Sequence, residues 1–272
     1  MKPGNPGRFF AALLALGLLA AWPAPAAPPE RVVSLVPSQT EMLFRLGLGP
    51  LVIGISDHCS YPKEAQGLPR VGGQELNLER LAALRPTTVI DLEGAHRRYE
   101  LFFRQVGWRY LNYSARTLEE IPRLAASLAA DLGAPIAGQK FASQWENDLL
   151  ALRKPASRRP RVYLEIWDSP PQAAGPNSFI GGLIRLAGGE NVVDIESPDF
   201  PVVPLSLIVK KDPEFILLAY PTSSTTLVGT RPGWGDITAV RMQQVIILPE
   251  DLFLRPGPRC LEAVRYLSHL LN

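Results

Sequence analysis

The sequence has few of the side chains that bind metal ions or act as nucleophiles. Its 272 residues include two cysteines and three histidines. Zinc and manganese sites need several such ligands converging on one ion, and only His58 and His96 lie in segments that could meet in one site. The composition therefore argues against a receptor for a bare transition-metal ion.

Common catalytic motifs are also missing. The chain has no Gly-x-Ser-x-Gly nucleophile turn, no Walker loop and no dinucleotide-binding glycine motif. Its glycine pairs at 181–182 and 188–189 are typical of close helix packing and of helix ends. We therefore expect no catalytic residues and no enzymatic activity.

The long apolar run of the chain stands at its N-terminus. Lys2 and Arg8 supply a basic start, residues 9–22 are apolar, and Ala-Pro-Ala follows at 24–26. This order is typical of a secretory signal peptide, so we predict cleavage after Ala26 and a periplasmic location. An uncleaved anchor is the alternative.

Neither sign of charge is in excess. The formal net charge is +2, and cleavage after Ala26 would remove Lys2 and Arg8 and leave a neutral chain. Nucleic-acid binding generally needs a basic patch, so we expect no nucleic-acid partner. Export also permits a disulfide between Cys59 and Cys260, with two unpaired thiols as the alternative.

Strand and helix patterns alternate along the rest of the chain. Apolar strand candidates such as Arg31–Val36 and Thr87–Asp91 are each followed by a helical pattern, which predicts mostly parallel sheets covered by helices. Ser38 and Glu41 have the spacing of a capping box that opens the first helix. Trp108 and Trp145 stand at core positions, whereas Trp234 lies in a loop and either packs or covers a cleft.

One pattern occurs twice. The segments 78–90 and 205–217 each contain a short helix, a basic residue, a proline and a buried strand. A repeat at this distance favours two similar lobes over one continuous domain. Ala137–Leu152 lies between the copies and carries one apolar stripe, as a single long helix would.

Five segments, taken together in this order, resemble the periplasmic binding proteins of vitamin B12, siderophore and haem ABC importers, and most of all the cobalamin receptors. They are Arg31–Glu41, Val71–Glu79, Leu84–Pro86, Gly175–Ile180 and Leu186–Val192. The resemblance is strengthened by Ser56–Pro62 and Asp251–Arg259. It covers nearly the whole chain after the apolar run.

The resemblance implies an α/β fold of two lobes joined by one rigid helix, with a ligand cleft between them. The domains expected are a signal peptide (1–26), an N-terminal lobe (27–134), a connecting helix (135–156) and a C-terminal lobe (157–272). The helix should allow little closure. The implied function is capture of a corrinoid as transported ligand, with no cofactor, and its delivery as a monomer to a permease; a ferric siderophore or haem is the alternative.

The resemblance also implies ligand contacts. The expected contacts are His58, Trp167, Phe200, Asp251, Leu252, Phe253, Leu254 and Arg255. Aromatic faces suit a flat macrocycle because they bury a large apolar area. Two tryptophan positions of the cobalamin receptors are Gly73 and Leu92 here, and His58 stands where a tyrosine is expected. His58 is either an axial ligand to a metal in the bound molecule or a loop residue bonded to its neighbours.

Docking to the permease is implied to use one acidic residue on each lobe. Glu79 matches the position in the first lobe, where a carboxylate also stabilises a helix N-terminus. The matching position in the second lobe is Ser206. We therefore expect the second contact to be lost or to be supplied by Glu196 or Asp199.

Overall fold

The computed structural model describes residues 29–152, 158–221 and 223–271. Within these ranges the chain forms two α/β lobes, each built on a mostly parallel sheet. The two-lobe α/β fold expected from the alternating pattern is therefore confirmed. The predicted signal peptide, residues 1–26, lies outside the described residues.

The first lobe contains a four-stranded parallel sheet in the order β2-β1-β3-β4. Its strands are β1 (Val32–Ser34), β2 (Val52–Ile55), β3 (Thr88–Leu92) and β4 (Arg109–Tyr113), and its helices are α1 (Pro37–Arg45), α2 (Leu78–Ala83), α3 (Glu100–Gln105) and α4 (Ile121–Asp131). All of β1 and most of β3 are buried, as expected for central strands covered by helices on both faces.

The second lobe has the order β6-β5-β8-β9, and β7 also pairs with β5. Its strands are β5 (Arg161–Asp168), β6 (Pro171–Ala173), β7 (Glu190–Asn191), β8 (Phe215–Leu218) and β9 (Val245–Ile247), and its helices are α6 (Phe179–Leu186), α7 (Leu205–Lys211), α8 (Thr225–Gly229), α9 (Thr238–Arg241), α10 (Glu250–Phe253) and α11 (Cys260–Leu271). Only the short edge strand β6 is antiparallel to its neighbour.

The connecting helix α5 spans Pro135–Leu152, so its 18 residues extend over about 27 Å. It packs closely on α4, because a Cβ at Gly138 would lie 2.8 Å from both the Ala126 Cα and the Ala129 Cβ. Residues 153–156 of the predicted connecting helix (135–156) and the following residue 157 lie outside the described residues. No helix among the described residues has both the length and the apolarity needed to cross a bilayer.

The repeated pattern corresponds to equivalent structure in the two lobes. Helices α2 and α7 each lead through a proline into a strand, β3 or β8. The residue before each proline has a left-handed backbone, with φ of 48° at Arg85 and 43° at Asp212. The prediction of two similar helix–proline–strand units is confirmed.

Trp145 and Trp234 lie in the core, and Trp108 packs against it. Trp145 of α5 is buried and its indole N–H donates to the Leu118 carbonyl at 3.1 Å. Trp108 is half-buried and stacks on Phe103 with ring centroids 5.9 Å apart. Trp234 is fully buried in the second lobe. It therefore packs in the core and does not cover a cleft.

The predicted capping box at Ser38 and Glu41 is wrong. Helix α1 begins at Pro37, its N-cap is Val36, and no side chain caps it. Proline is favoured at the first helical position because its ring presets the backbone angle φ. Ser38 is therefore inside the helix, and the Glu41 carboxylate is turned toward the C-terminal part of the chain.

The largest apolar cluster contains residues from both lobes, including Leu118 and Ile180. Leu118 approaches α6 so closely that a Cβ at Gly182 would lie 3.5 Å from its Cδ1. The lobes therefore share a buried apolar contact. It lies close to the cavity described next, because Ala115 and Ile180, which belong to the same cluster, also line that cavity.

Candidate ligand-binding site

A cavity of about 290 Å³ lies between the lobes. Glu93 follows β3, Ala115 and Arg116 follow β4, and Ile166 lies near the end of β5. The carboxyl ends of parallel strands are where open α/β sheets bind ligands. The complete lining consists of Glu93, Ala115, Arg116, Ile166, Phe179, Ile180, Asp199, Phe200, Leu254 and Pro256.

The apolar wall of the cavity comes mostly from the second half of the chain. Phe179 and Phe200 meet edge to face, with centroids 6.2 Å apart and planes at 78°. Leu254 and Pro256 line the cavity from the segment after α10. Aromatic and aliphatic surfaces of this kind suit a large flat ligand.

Three charged residues complete the lining. The Glu93 carboxylate accepts hydrogen bonds from Arg116 Nε at 2.9 Å and from the Ser114 hydroxyl at 2.8 Å, and Arg116 holds the pKa of Glu93 below its ordinary value. Asp199 stands on the other lobe. Sequence reasoning assigned Glu93 and Arg116 no role. Their place shortly after the strands predicted at 87–91 and 108–112 was the signal available, because such residues gather at one edge of a parallel sheet.

A larger open groove of about 1030 Å³ runs along α5 between α1 and α11. Its lining includes polar residues of the connecting helix, among them Lys140, Gln144 and Asp148. This groove lies against helix surfaces and not at the strand ends. We therefore place the candidate ligand site in the smaller cavity between the lobes.

Two of the predicted contact residues, Phe200 and Leu254, line this cavity. Trp167 directly follows the lining residue Ile166 and is 48% exposed, and its indole N–H donates to the Ser169 carbonyl at 3.0 Å. Phe200 and Leu254 are therefore at the cavity, whereas Trp167 is exposed and is not among the lining residues.

Leu252 and Phe253 are placed differently from the expectation. Leu252 is 7% exposed and Phe253 is fully buried, packed edge to face on Tyr266 of α11. Neither residue is among those that line the cavity, and both pack in the largest apolar cluster. Their role as contacts is therefore corrected: both belong to the core.

Asp251 and Arg255 belong to an ion cluster that joins the lobes. Arg255 donates to Asp251 and, at 3.1 Å, to Glu41 of α1. Arg259 also binds Glu41, with its Nε and a terminal nitrogen each 2.8 Å from a carboxylate oxygen. The Glu41 side chain is 1% exposed. We call Glu41, Asp251, Arg255 and Arg259 the interlobe ion cluster.

His58 lies on the exposed surface of the loop after β2. Its carbonyl accepts a hydrogen bond from Arg255 at 3.2 Å. Its ring is next to Gly73, where an added Cβ would lie 2.8 Å from His58 Nε2. His58 is thus grouped with Arg255 and Asp251 and is not among the residues lining the cavity.

The two cysteines are separate, buried thiols. The sulfur of Cys59 lies 3.1 Å from the Thr40 hydroxyl, and the sulfur of Cys260 accepts from the Gly257 amide at 3.4 Å. Burial raises the pKa of the Cys260 thiol to about 12. Of the two alternatives for Cys59 and Cys260, the structure has unpaired thiols and no disulfide.

His96 is buried between two groups that only accept hydrogen bonds. Its Nδ1 lies 3.0 Å from the Asp91 carboxylate and its Nε2 lies 2.9 Å from the Gly73 carbonyl. Only the imidazolium form can donate to both partners at once. His96 therefore holds the loop of Gly73, which in turn borders His58.

The pKa values at His96 follow from these contacts. Burial lowers the pKa of His96, but the bonds to Asp91 and Gly73 outweigh burial and raise it above its ordinary value, against the repulsion of Arg98. Burial raises the pKa of Asp91, but hydrogen bonds from His96 and Tyr110 outweigh it and lower that pKa. At pH values between the pKa of Asp91 and the pKa of His96, both side chains are therefore charged.

Known sequences match this architecture. A family profile described as periplasmic binding protein matches residues 32–252. The chain belongs to the periplasmic binding protein family. This family consists of transport components without catalytic activity.

Relatives of this periplasmic binding protein include the vitamin B12-binding proteins of Vibrio cholerae and Salmonella typhimurium. The first is 30% identical over 252 residues, which cover 90% of each chain. The second is 30% identical over 270 residues, which cover 97% of this chain and 98% of the relative. The resemblance to this family is therefore confirmed.

Solved structures with the same fold include the periplasmic haem-binding protein RhuT of Roseiflexus sp. RS-1 in apo form, with a TM-score of 0.80 and 27% identity over 90% of this chain and 98% of that one. The periplasmic vitamin B12-binding protein BtuF of Vibrio cholerae has a TM-score of 0.73 and 28% identity over 90% and 97%. The fold is thus shared by proteins named for two different macrocycles.

The two positions predicted for permease docking are structurally equivalent in the two lobes of this periplasmic binding protein. Glu79 and Ser206 are both exposed, and each is the second residue of its helix, α2 or α7. Glu196 is exposed, whereas Asp199 lines the cavity.

Among the described residues, no three His, Cys, Asp or Glu side chains gather as a metal site.

We predict that Glu41→Gln lowers the free energy of unfolding by about 3 kcal/mol, because it leaves two partly buried arginines without their carboxylate. Chemical denaturation at neutral pH measures this. Glu100→Gln is the control: it removes a more exposed pair with Arg104 and should cost less than about 1 kcal/mol. Equal losses for both variants would contradict a structural role for the interlobe ion cluster.

We predict that His96 stabilises the protein more in acid than in base. A raised folded-state pKa makes its contribution fully present below the unfolded pKa and lost as the pH rises through the folded pKa. The difference in unfolding free energy between the native protein and His96→Gln should therefore be larger at about pH 5.5 than at about pH 8.5. A difference that is constant or grows with pH would show that the ring is neutral.

Proposed function

We propose that this protein captures a corrinoid in the cleft between its lobes and delivers it to an ABC importer in the inner membrane. The observation that carries the proposal is the character of the cavity. It has an aromatic and aliphatic wall, and among its described lining residues there is no His, Tyr, Met or Cys that would serve as an axial ligand.

The absence of such a ligand from the lining favours a corrinoid over haem. Proteins hold haem iron through a side chain such as His, Tyr, Met or Cys. Cobalamin brings its own axial base and needs only surface contact and hydrogen bonds from its receptor. The relatives named for vitamin B12 support the same ligand class.

The cavity would take only part of so large a ligand. Its volume of about 290 Å³ is at the lower end of small-molecule sites. We therefore propose that the macrocycle lies across the mouth of the cleft with one edge inserted. Trp167 and Phe200 would then contact its face and edge.

Haem is the second candidate, and a ferric siderophore belongs to the same alternative. His58 is an exposed imidazole on the first lobe, and a haem iron would use it as axial ligand. Structures named for haem binding share the fold. Under this alternative His58 is the residue that holds the metal.

The location and partners follow from the proposed role. We propose that residues 1–26 are removed on export, that residues 27–134 and 157–272 form the lobes around a connecting helix at 135–156, and that the mature protein acts in the periplasm as a monomer. Its partner is the permease of the importer.

We propose that Glu79 pairs with an arginine of the permease. Its helix is already capped by Asn77, whose side chain accepts from the Arg80 amide at 2.9 Å. The carboxylate of Glu79 is exposed at the start of the helix and does not cap it. On the second lobe Ser206 supplies no charge, so we assign the second contact to Glu196.

We predict that the purified protein binds cyanocobalamin or dicyanocobinamide with at least about tenfold higher affinity than haem, because it offers contact surface without a ligand for iron. Isothermal titration calorimetry with each compound measures this, with absorption spectra as a second readout. Trp167→Ala should weaken corrinoid binding, whereas Trp108→Ala, on the far side of the first lobe core, should not.

Tight haem binding without corrinoid binding would overturn the proposal. A Soret band that shifts in the native protein but not in His58→Ala would then establish the haem alternative. If the protein captures a corrinoid as proposed, we expect the absorption spectrum of bound cobalamin to be the same in the native protein and in His58→Ala.

We predict that Glu79→Arg weakens binding to the cognate permease in proteoliposomes at least about tenfold, because it replaces an attraction by a repulsion. Ser206→Glu should strengthen binding by restoring a second acid. Glu190→Arg, which also reverses the charge of an exposed residue, is the control. If Glu79→Arg bound as well as Glu190→Arg, the docking role would be excluded.

A further inference from the structure

The charged residues of the cavity have a fixed geometry on one lobe. Glu93 Oε1 binds both Arg116 Nε at 2.9 Å and the Ser114 hydroxyl at 2.8 Å. The backbone amide of Arg116 donates to the Glu120 carboxylate at 2.8 Å. The Glu120 bond fixes the backbone of Arg116, and the Glu93 bond orients its guanidinium. The Arg116 side chain is 67% exposed, and four of its five N–H donors are not engaged by Glu93.

An opposite charge faces this guanidinium from the other lobe. Asp199 lines the same cavity, and its backbone carbonyl accepts from the Gly175 amide at 2.9 Å, which ties it to the start of the α6 segment. The negative charges of Glu93 and, from the second lobe, Asp199 raise the pKa of Arg116. A donor group and an acceptor group thus stand on opposite sides of one small cavity.

We propose that Arg116 and Asp199 form a subsite for a carboxamide and that this subsite selects ligands with amide side chains over ligands with carboxylates. The proposal rests on the proposed function and names the part of the ligand that is recognised. The amide C=O accepts from the terminal N–H groups of Arg116, and the amide NH₂ donates to Asp199.

The charges of the cavity give the selectivity. Glu93 and Asp199 carry two negative charges against the single positive charge of Arg116, so the lining has a net charge of −1. A carboxylate would place its charge beside Asp199 and cannot donate a hydrogen bond when ionised. A carboxamide is neutral, and its donor and acceptor match both residues. A corrin carries several such amides on its rim, whereas haem carries propionates.

The experiment compares cyanocobalamin with its three monocarboxylic acids, in which one propionamide is hydrolysed. Calorimetry should show at least one isomer binding about tenfold or more weakly than the parent, as expected for the loss of a hydrogen bond to a charged group. Asp199→Asn should remove most of that penalty, because its amide accepts and donates without charge.

Asp194→Asn is the matched control. Asp194 is an exposed aspartate of the same lobe, paired with Lys211 at 2.7 Å and outside the cavity lining. The Asp194→Asn substitution changes the net charge by the same amount as Asp199→Asn. It should leave the loss of affinity of each monocarboxylic acid relative to cyanocobalamin unchanged. Equal binding of the parent and all three acids, or an equal effect of the two variants, would overturn the subsite while leaving corrinoid capture in place.

Failure of the proposed function gives a different result. If the native protein does not bind cyanocobalamin but binds haem, corrinoid capture is overturned, and the subsite is tested with haem and its diamide. Tighter binding of the diamide, abolished by Asp199→Asn, supports the subsite; tighter binding of the diacid overturns it. Binding of none of these compounds overturns both.

Discussion

One buried carboxylate joins the two halves of this protein. Glu41, on the first helix of the first lobe, accepts hydrogen bonds from both Arg255 and Arg259. A carboxylate removed from water is stable only when such partners replace its hydration. The pair of arginines therefore fixes the segment between α10 and α11 against the first lobe. That segment supplies Leu254 and Pro256 to the cavity, so the shape of the ligand site depends on this contact.

The two lobes contribute different chemistry to the cavity. The second lobe provides the aromatic pair Phe179 and Phe200, while the first lobe provides the ion pair of Glu93 and Arg116. Apolar contact supplies binding energy without much direction, whereas the charged groups act only on ligand atoms placed beside them. A ligand that fills this cavity would contact both lobes at once, so the relative position of the lobes sets the arrangement of apolar and charged groups that it meets.

Local patterns predicted the elements well and the site less well. The alternation of strands and helices, the paired helix–proline–strand units and the long connecting helix are read from residues close together in sequence. The partners of Arg255 are not: Glu41 lies 214 positions away, and no local pattern pairs them. The capping box failed for a related reason, since Ser38 and Glu41 had the right spacing but Pro37 and a distant arginine decided their roles.

Leu254 and Arg255 show why a matching segment does not assign a role to each of its residues. Leu254 lines the cavity, whereas the Arg255 side chain is only 14% exposed and binds Glu41. Neighbouring residues of an irregular segment point in different directions, so one faces the ligand site while the other closes the lobe junction. Resemblance over the whole segment identifies its position, and the contacts of each side chain then decide its role.

Two departures from the cobalamin receptors lie next to each other. A Cβ at Gly73 would lie 2.8 Å from His58 Nε2, so any larger residue at Gly73 requires the imidazole to move. The loop holding Gly73 is itself bound through its carbonyl to His96, which limits how far the backbone can yield. Because His58 is exposed, its ring can take another rotamer, and a larger residue at Gly73 would therefore displace the imidazole and leave the backbone of this loop in place. Under the proposed function, with glycine at Gly73 and imidazole at His58, aromatic contact with a flat ligand would come mainly from Trp167 and Phe200 on the second lobe.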